Sequence, residues 1–288
     1  MSASPSPSSR SAVAARLRAA GCVFAEDEAR LLISAATTST DVAALVDRRV
    51  AGLPLEHVLG WAEFCGLRIS VDEGVFVPRR RTEFLVTQAA ALARRAAGVA
   101  SRVGDAPGAV VVDLCCGSGA VGAALVASLN RVELYAVDID RTAAQCARRN
   151  VGSAGARVYE GDLYEPLPET LRGRVDVLVA NAPYVPTSAV ELLPPEARVH
   201  EPRVALDGGS DGLDVLRRVI TEAPLWLAPG GCLLVETSER QAPKLVGSLE
   251  GNGLVPRVAR SDELSATVVI GTRAAGRPGA QPKIDPTD

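Results

Sequence analysis

Val110-Val111-Val112-Asp113-Leu114-Cys115-Cys116-Gly117-Ser118-Gly119 is the stretch whose reading decides the fold. Its first five residues are nearly all aliphatic and read as a buried strand. The turn after them is tight, and a helical pattern follows from Ala120. Glycines let a backbone come close to a ligand, and a helix start offers N–H groups without partners. A second apolar run ends in Tyr135-Ala136-Val137-Asp138. A carboxylate there can accept both hydroxyls of a ribose. The spacing predicts a cradle for a nucleoside-bearing cofactor, formed by Asp113, Cys115, Cys116, Gly117, Ser118, Gly119 and Asp138.

Outward from this stretch the chain alternates. Strands are expected at 109–114, 132–138, 156–159, 175–180 and 231–236, with helices at 119–129, 140–151, 210–227 and 238–250. That alternation is the mark of a Rossmann-like, doubly wound parallel sheet in an α/β domain. Strands near 253–259 and 265–272 leave no room for a crossover helix, so an antiparallel hairpin is expected at one edge. Upstream, Val13, Leu17 and Ala20 share a helical face, as do Ala29, Leu32 and Ile33, then Val42, Leu45, Val46 and Val50, with Asp41 as an N-cap. Leu67, Ile69 and Val71 alternate, and Val75 and Val77 follow Asp72-Glu73-Gly74, which predicts a β-hairpin. Residues 82–97 read as helix and 98–108 as loop. The division expected is a disordered tail over 1–10, a small helical N-terminal domain over 11–60, a hairpin linker over 61–81, the α/β domain over 82–272 and a Gly/Pro-rich tail over 273–288.

Composition narrows the class. Hydrophobic residues are 47% of the 288, enough for a full core, but aromatics are only 3%, so Val, Leu and Ala must build it. A net charge of -3 argues against a chain that coats nucleic acid, and no stable DNA binding is expected. No 18-residue apolar run suits a membrane span, and Ser2 to Arg10 lacks the apolar core of a signal peptide. Six cysteines and two histidines show no zinc-ligand spacing. Reduced thiols, no metal and a cytoplasmic protein are expected.

The chemistry is expected at Val179-Ala180-Asn181-Ala182-Pro183-Tyr184, where a strand breaks into a proline-rich loop. Ligands bind beyond the carboxyl ends of such strands. Pro183 forces Ala182 into an extended conformation and turns its carbonyl outward. The Asn181 side-chain oxygen is a second acceptor, and Tyr184 offers a flat face. Two fixed acceptors and a stacking ring suit one planar NH2, either a carboxamide or the amine of a base. They return electron density to its nitrogen and position it for in-line attack on an electrophilic methyl. Asp162 is placed to accept from an adenine amino group, with Leu163 packing on the ring.

Gly117-Ser118-Gly119-Ala120-Val121-Gly122 also satisfies the G-x-G-x-x-G pattern of NAD sites. Two features oppose that reading. The charge of Asp113 would sit badly beside a pyrophosphate, whereas it can face the ammonium of a sulfonium cofactor with an amino-acid tail. The Asn-Ala-Pro-Tyr loop has no part in hydride transfer.

The chain resembles the HemK/PrmC family of protein N5-glutamine methyltransferases, which are class I S-adenosylmethionine enzymes. The resemblance runs from about residue 50 to 272. Gly52 to Gly60 is similar to the family's approach to its hairpin, and Phe76-Val77-Pro78-Arg79 with Thr82-Glu83 to its I-P-R-P-E-T-E signature. Asp113 to Gly119 matches motif I, Asn181 to Tyr184 stands at N-P-P-Y, and Glu201 to Leu213 is similar to E-P-x-x-A-L-x-G-G-x-D-G-L. Gly230-Gly231 to Glu236 fits the fifth strand. The resemblance implies methyl transfer from S-adenosylmethionine to a glutamine side chain in a peptide chain release factor. Asn181 and Ala182 would hold the amide, and Pro183 and Tyr184 would complete the catalytic loop.

Three departures stand out. Ala182 replaces a proline, Cys115 and Cys116 replace Gly and Thr of motif I, and Arg80 and Arg81 replace Pro and Glu of the signature. The last reverses charge at the entrance and suits a transient approach to ribosomal RNA. Alternatives with the same cofactor are N6-adenine or N4-cytosine methylation and a catalytically silent S-adenosylmethionine-binding protein.

Overall fold

A computed structural model of the chain describes residues 9–100 and 108–275. The expectations for residues 1–8, for most of the 98–108 loop and for 276–288 lie outside the described residues.

Seven strands form the main sheet: β3 (Ala109–Leu114), β4 (Val132–Asp138), β5 (Arg157–Glu160), β6 (Val175–Ala180), β7 (Leu227–Thr237), β8 (Leu254–Ser261) and β9 (Ala266–Arg273). Their order is β5-β4-β3-β6-β7-β9-β8. β3 to β7 are parallel, while β9 runs antiparallel to both β7 and β8. β3 and β6 are buried almost end to end because helices cover both faces, which explains their continuous aliphatic runs. One side packs α5 (Glu83–Ala100), α6 (Ala120–Ser128) and α7 (Arg141–Val151), the other α9 (Asp214–Trp226) and α10 (Ala242–Gly251). Two hydrophobic clusters result, one on each face of the sheet.

Before the sheet come α1 (Arg10–Ala19), α2 (Ala25–Ala35), α3 (Ser39–Val50) and α4 (Leu55–Leu59), packed around Leu17, Ala29, Leu32 and Val46. α3 starts differently from the expectation at Asp41. Thr38 is the N-cap, and Asp41 reaches back to the Thr38 backbone to complete a capping box. Val50 is largely exposed; Arg49 is buried in the face that Val50 was expected to share. It does so as an ion pair, with Glu28 at 2.7 Å and Glu196 at 2.7 Å, tying α3 to α2 and to the short helix α8 (Pro195–His200).

The first hairpin also differs. β1 (Trp61–Phe64) pairs with β2 (Leu67–Ser70), so the turn is Cys65-Gly66 and not Asp72-Glu73-Gly74. Both turn residues have positive φ, 51° and 72°, as a two-residue hairpin turn with the right twist requires. Val75 and Val77 are buried without joining a strand. Their backbone groups bond to side chains instead: the Val75 carbonyl to His57 Nε2 at 2.8 Å, and the Val77 N–H to Glu201 Oε1 at 3.1 Å. Among the described residues no helix is long and apolar enough to cross a membrane.

Candidate active site

The strand order reverses between β3 and β6. β3 leads outward to β4 and β5, and the chain then returns to β6 on the other side of β3. A crevice opens at the carboxyl ends of such neighbours. The register pairs Asp113 with Val179 and Leu114 with Ala180, so the cradle leaves one strand level with the Asn181 loop leaving the next. A cleft of about 230 Å³ spans both, lined by Asp113, Cys115, Cys116, Gly117, Ser118, Asp138, Asp162, Leu163, Asn181 and Pro183.

The cradle's backbone is built for close approach. Cys115, Gly117 and Gly119 have φ of 55°, 55° and 76°. A side chain on Gly119 would lie 3.0 Å from Ala147 of α7, so the helix that covers the cradle demands glycine there. At Gly117 a Cβ would meet nothing within 4 Å, which marks the open side. Asp138 Oδ2 accepts from the Gly117 N–H at 2.7 Å and Oδ1 from the Asp140 N–H at 2.9 Å, joining the ends of β3 and β4. Burial raises the Asp138 carboxyl above the usual carboxylate range.

Asp113 Oδ2 accepts from the Gly122 N–H at 3.0 Å, and among the described residues no other group bonds to the carboxylate. Burial, only partly countered by that bond and reinforced by Asp138, pushes its pKa up to about 7. A buried carboxylate on the wall of a cleft, with no cation beside it among the described residues, is suited to an incoming positive group. Together with Asp138 and the apolar walls of Val137, Ile139 and Leu163, it fits a nucleoside cofactor carrying an amino-acid tail.

The sign of its pH dependence follows. Asp113 binds its proton more tightly in the folded protein than unfolded, so its contribution to stability is complete below pH 3.8 and is lost as pH rises towards about 7. A bound ammonium requires the charged form. Affinity for such a cofactor should therefore rise as pH goes from 5.5 to 7.5, by about tenfold for each pH unit well below the pKa. Calorimetric titration across that range measures it, and Asp113→Asn should flatten the slope. An unchanged slope in that variant would refute the assignment.

Asp162 is less free than the sequence suggests. Its Oδ2 holds Arg218 Nη2 at 2.7 Å, and both residues line the cleft. Leu163 is buried with a φ of 49°. Cys115 and Cys116 are thiols raised by burial, with Asp138 and Asp113 adding to the shift. At ordinary pH they add no charge to the cradle.

On the acceptor side, Asn181 Nδ2 donates to Thr82 Oγ1 at 3.3 Å. This orients the amide: one N–H of its NH2 faces Thr82, and its oxygen has no hydrogen-bond partner among the described residues. Ala182 is buried, and Tyr184 half-buried. The Tyr184 hydroxyl donates to Glu236 Oε1 at 3.0 Å, and its carbonyl accepts from Gln241 Nε2 at 2.9 Å. Burial and Glu236 hold the phenol well above its ordinary pKa, so it stays a donor. Behind the loop, Val185 N–H donates to Leu206 O at 3.1 Å and Gly208 N–H to Val185 O at 2.8 Å. The run from Glu201 to Leu213 is therefore the frame of the acceptor loop. Its Glu201 also grips Arg79 through both oxygens at 2.6 Å.

Several members of the site receive no role from the sequence. Thr82, Glu236 and Gln241 act through contacts with distant parts of the chain, and Phe64, Phe76 and Pro78 bring walls from the hairpin region. Ile139 carried a signal: a large aliphatic next to the ribose acid, 55% exposed in the fold, has no core to join.

Comparison with known proteins now bears on this geometry. The profile of the family described as Methyltransferase small domain matches residues 99–210. The chain is 39% identical over 231 residues to the release factor glutamine methyltransferase of Geobacter sulfurreducens, covering 80% of this chain and 76% of that one. It is 36% identical to the 4-amino-L-phenylalanine/4-methylamino-L-phenylalanine methyltransferase of Streptomyces pristinaespiralis, covering 72% and 69%. Among solved structures, the T. thermophilus 16S rRNA N2 G1207 methyltransferase in complex with AdoMet and guanosine superimposes with a TM-score of 0.50 at 19% identity, covering 74% of this chain and 49% of that one. This last likeness is one of fold.

Proposed function

From the premise that this chain belongs to the release factor glutamine methyltransferase family, we propose that it methylates the side-chain nitrogen (N5) of a glutamine in a peptide chain release factor, using S-adenosylmethionine. The observation that carries the reading is the β3–β6 register, which brings the glycine turn after β3 level with the Asn181 loop after β6. The cofactor, when bound, supplies an electrophilic methyl on a sulfonium. Asp113 would face its ammonium, Asp138 its ribose, and Asp162 with Leu163 its base.

The chain's own work is at the acceptor. An amide nitrogen is a poor nucleophile because its lone pair is delocalised. Asn181 Oδ1 and the Ala182 carbonyl accept hydrogen bonds from its two N–H groups, which restores density to nitrogen and fixes its lone pair towards the cofactor. Thr82 holds Asn181 in the orientation this needs. Tyr184 stacks on the amide plane, its ring steadied by Glu236. Once alkylated, the nitrogen is acidic and loses a proton without a dedicated base. The name of the Streptomyces relative gives it an aromatic amine as acceptor, again a planar, conjugated NH2. A release factor as substrate places the reaction in the cytoplasm.

The experiment is transfer from methyl-labelled S-adenosylmethionine to a purified bacterial release factor, with mass spectrometry of the labelled residue. Label on glutamine N5 is expected. Label on a nucleobase from added RNA or DNA, with none on the protein, would overturn the reading.

A further inference from the structure

The turn after β5 has its backbone fixed locally and one side chain fixed from a distant helix. The Gly161 N–H donates to the Asp138 carbonyl at 2.9 Å, and the Glu165 N–H to the Asp162 carbonyl at 3.0 Å. A Cβ on Gly161 would stand 2.8 Å from Pro166, so the turn admits no bulk there. These bonds leave the side-chain rotation of Asp162 open, and that side chain is 31% exposed. Arg218 closes it. Its Nη2 donates to Asp162 Oδ2 at 2.7 Å, and among the described residues this is the one bond that either side chain makes.

Arg218 comes from the second turn of α9, where it stands three residues from Val215 and both line the cleft. The helix thus adds an aliphatic group and a guanidinium to the walls made by Ile139 and Leu163. Arg218 faces three carboxylates, Asp162, Glu222 and Glu165, which raise its pKa, the bond to Asp162 most of all. Such a corner is unsuited to a phosphate and suits a neutral ring that carries a donor.

Holding one oxygen of a carboxylate gives the other a set direction. Asp162 Oδ1 accepts no bond among the described residues. An amino group on a base offers a hydrogen to that oxygen. A carbonyl at the same place offers a second acceptor, and two acceptors face to face repel. A carboxylate free to rotate escapes the conflict by turning to the protonated ring nitrogen beside the carbonyl.

We infer that Arg218 is a positioning residue for the base of the cofactor: it locks Asp162 so that Oδ1 takes the amino group of adenine and refuses a purine carrying oxygen there. The inference rests on the assignment of Asp162 and Leu163 to the base, and it names the residue that makes that site selective. Arg218 takes no part in the methyl transfer itself.

The test is titration calorimetry with S-adenosylhomocysteine and S-inosylhomocysteine, which differ in that amino group and require no turnover. Wild-type enzyme should bind the adenine form about 30-fold more tightly, the effect of one charge-assisted hydrogen bond. Arg218→Met keeps the stem and removes the donor; the ratio should fall to about threefold, the inosine form gaining as the adenine form loses. Arg218→Lys can still donate to Oδ2 and should keep the ratio above about tenfold. Asp162→Asn should abolish the preference. All three variants should melt within a few degrees of wild type, since an exposed ion pair adds little stability. A ratio unchanged in Arg218→Met, or both ligands weakened equally there, overturns the inference while the Asp162 assignment stands. Equal binding of the two ligands by wild type, or a preference that survives Asp162→Asn, overturns the assignment of Asp162 to the base and the inference with it.

Discussion

Asn181→Ala should lower kcat for methyl transfer by about 10²–10³, the usual cost of removing one pre-positioned polar group from a reacting centre. Cofactor affinity should stay within about twofold of wild type, since Asp113, Asp138 and the glycines of the cradle lie on other strands. The substitution removes the acceptor whose orientation Thr82 sets. It also leaves the Thr82 hydroxyl without its donor, but a hydroxyl can rotate to water, so little stability is at stake. Single-turnover kinetics with saturating cofactor separates this loss from binding. Turnover near the wild-type rate would mean that the Ala182 carbonyl alone holds the amide, and the two-acceptor account would fail. Thr82→Val should act in the same direction but more weakly.

Gly212→Ala is expected to have an effect nearly as large from a position that touches no substrate. Gly212 has a φ of 78°, and a Cβ there would stand 2.3 Å from the Tyr184 carbonyl oxygen and 2.6 Å from Gln241 Nε2. Both atoms belong to the bond that holds the acceptor loop against α10. A left-handed alanine costs about 1–2 kcal/mol before any clash is counted. The clash cannot be relieved without moving the backbone at Tyr184. A displacement of about 1 Å at a reacting group lowers rates by roughly 10²-fold. The variant should bind cofactor normally, lose about two orders of magnitude in kcat and melt a few degrees lower. A folded variant with unchanged kcat would show that the frame behind the loop is dispensable.

The parts legible in the sequence are those where local pattern and tertiary role coincide. β3 and β6 are buried on both faces, so their aliphatic runs needed no context. The glycine turn and the Asn-Ala-Pro-Tyr loop were legible because backbone geometry restricts which residues can stand there. The Cys65-Gly66 turn was hidden because a cysteine with positive φ gives no turn signal. Thr38 and Asp41 are both residues that cap helices, and only geometry tells the cap from the third helical residue. Thr82, Glu236 and Gln241 stand 99, 52 and 57 residues from their partners in the acceptor loop. No local periodicity carries information across such distances. The pairing of Asp162 with Arg218 has the same cause, at 56 residues.

Because Leu114 and Ala180 face each other across one hydrogen-bonded strand pair, the glycine turn after β3 and the Asn181 loop after β6 stand on a ruler whose graduation is the strand spacing, roughly 4.8 Å. That length is set by backbone hydrogen bonds in the middle of the core and is indifferent to what the acceptor is. A change of substrate then needs no change of reach. It needs only new side chains around the mouth, at exposed positions such as Arg80, which makes no ion pair among the described residues.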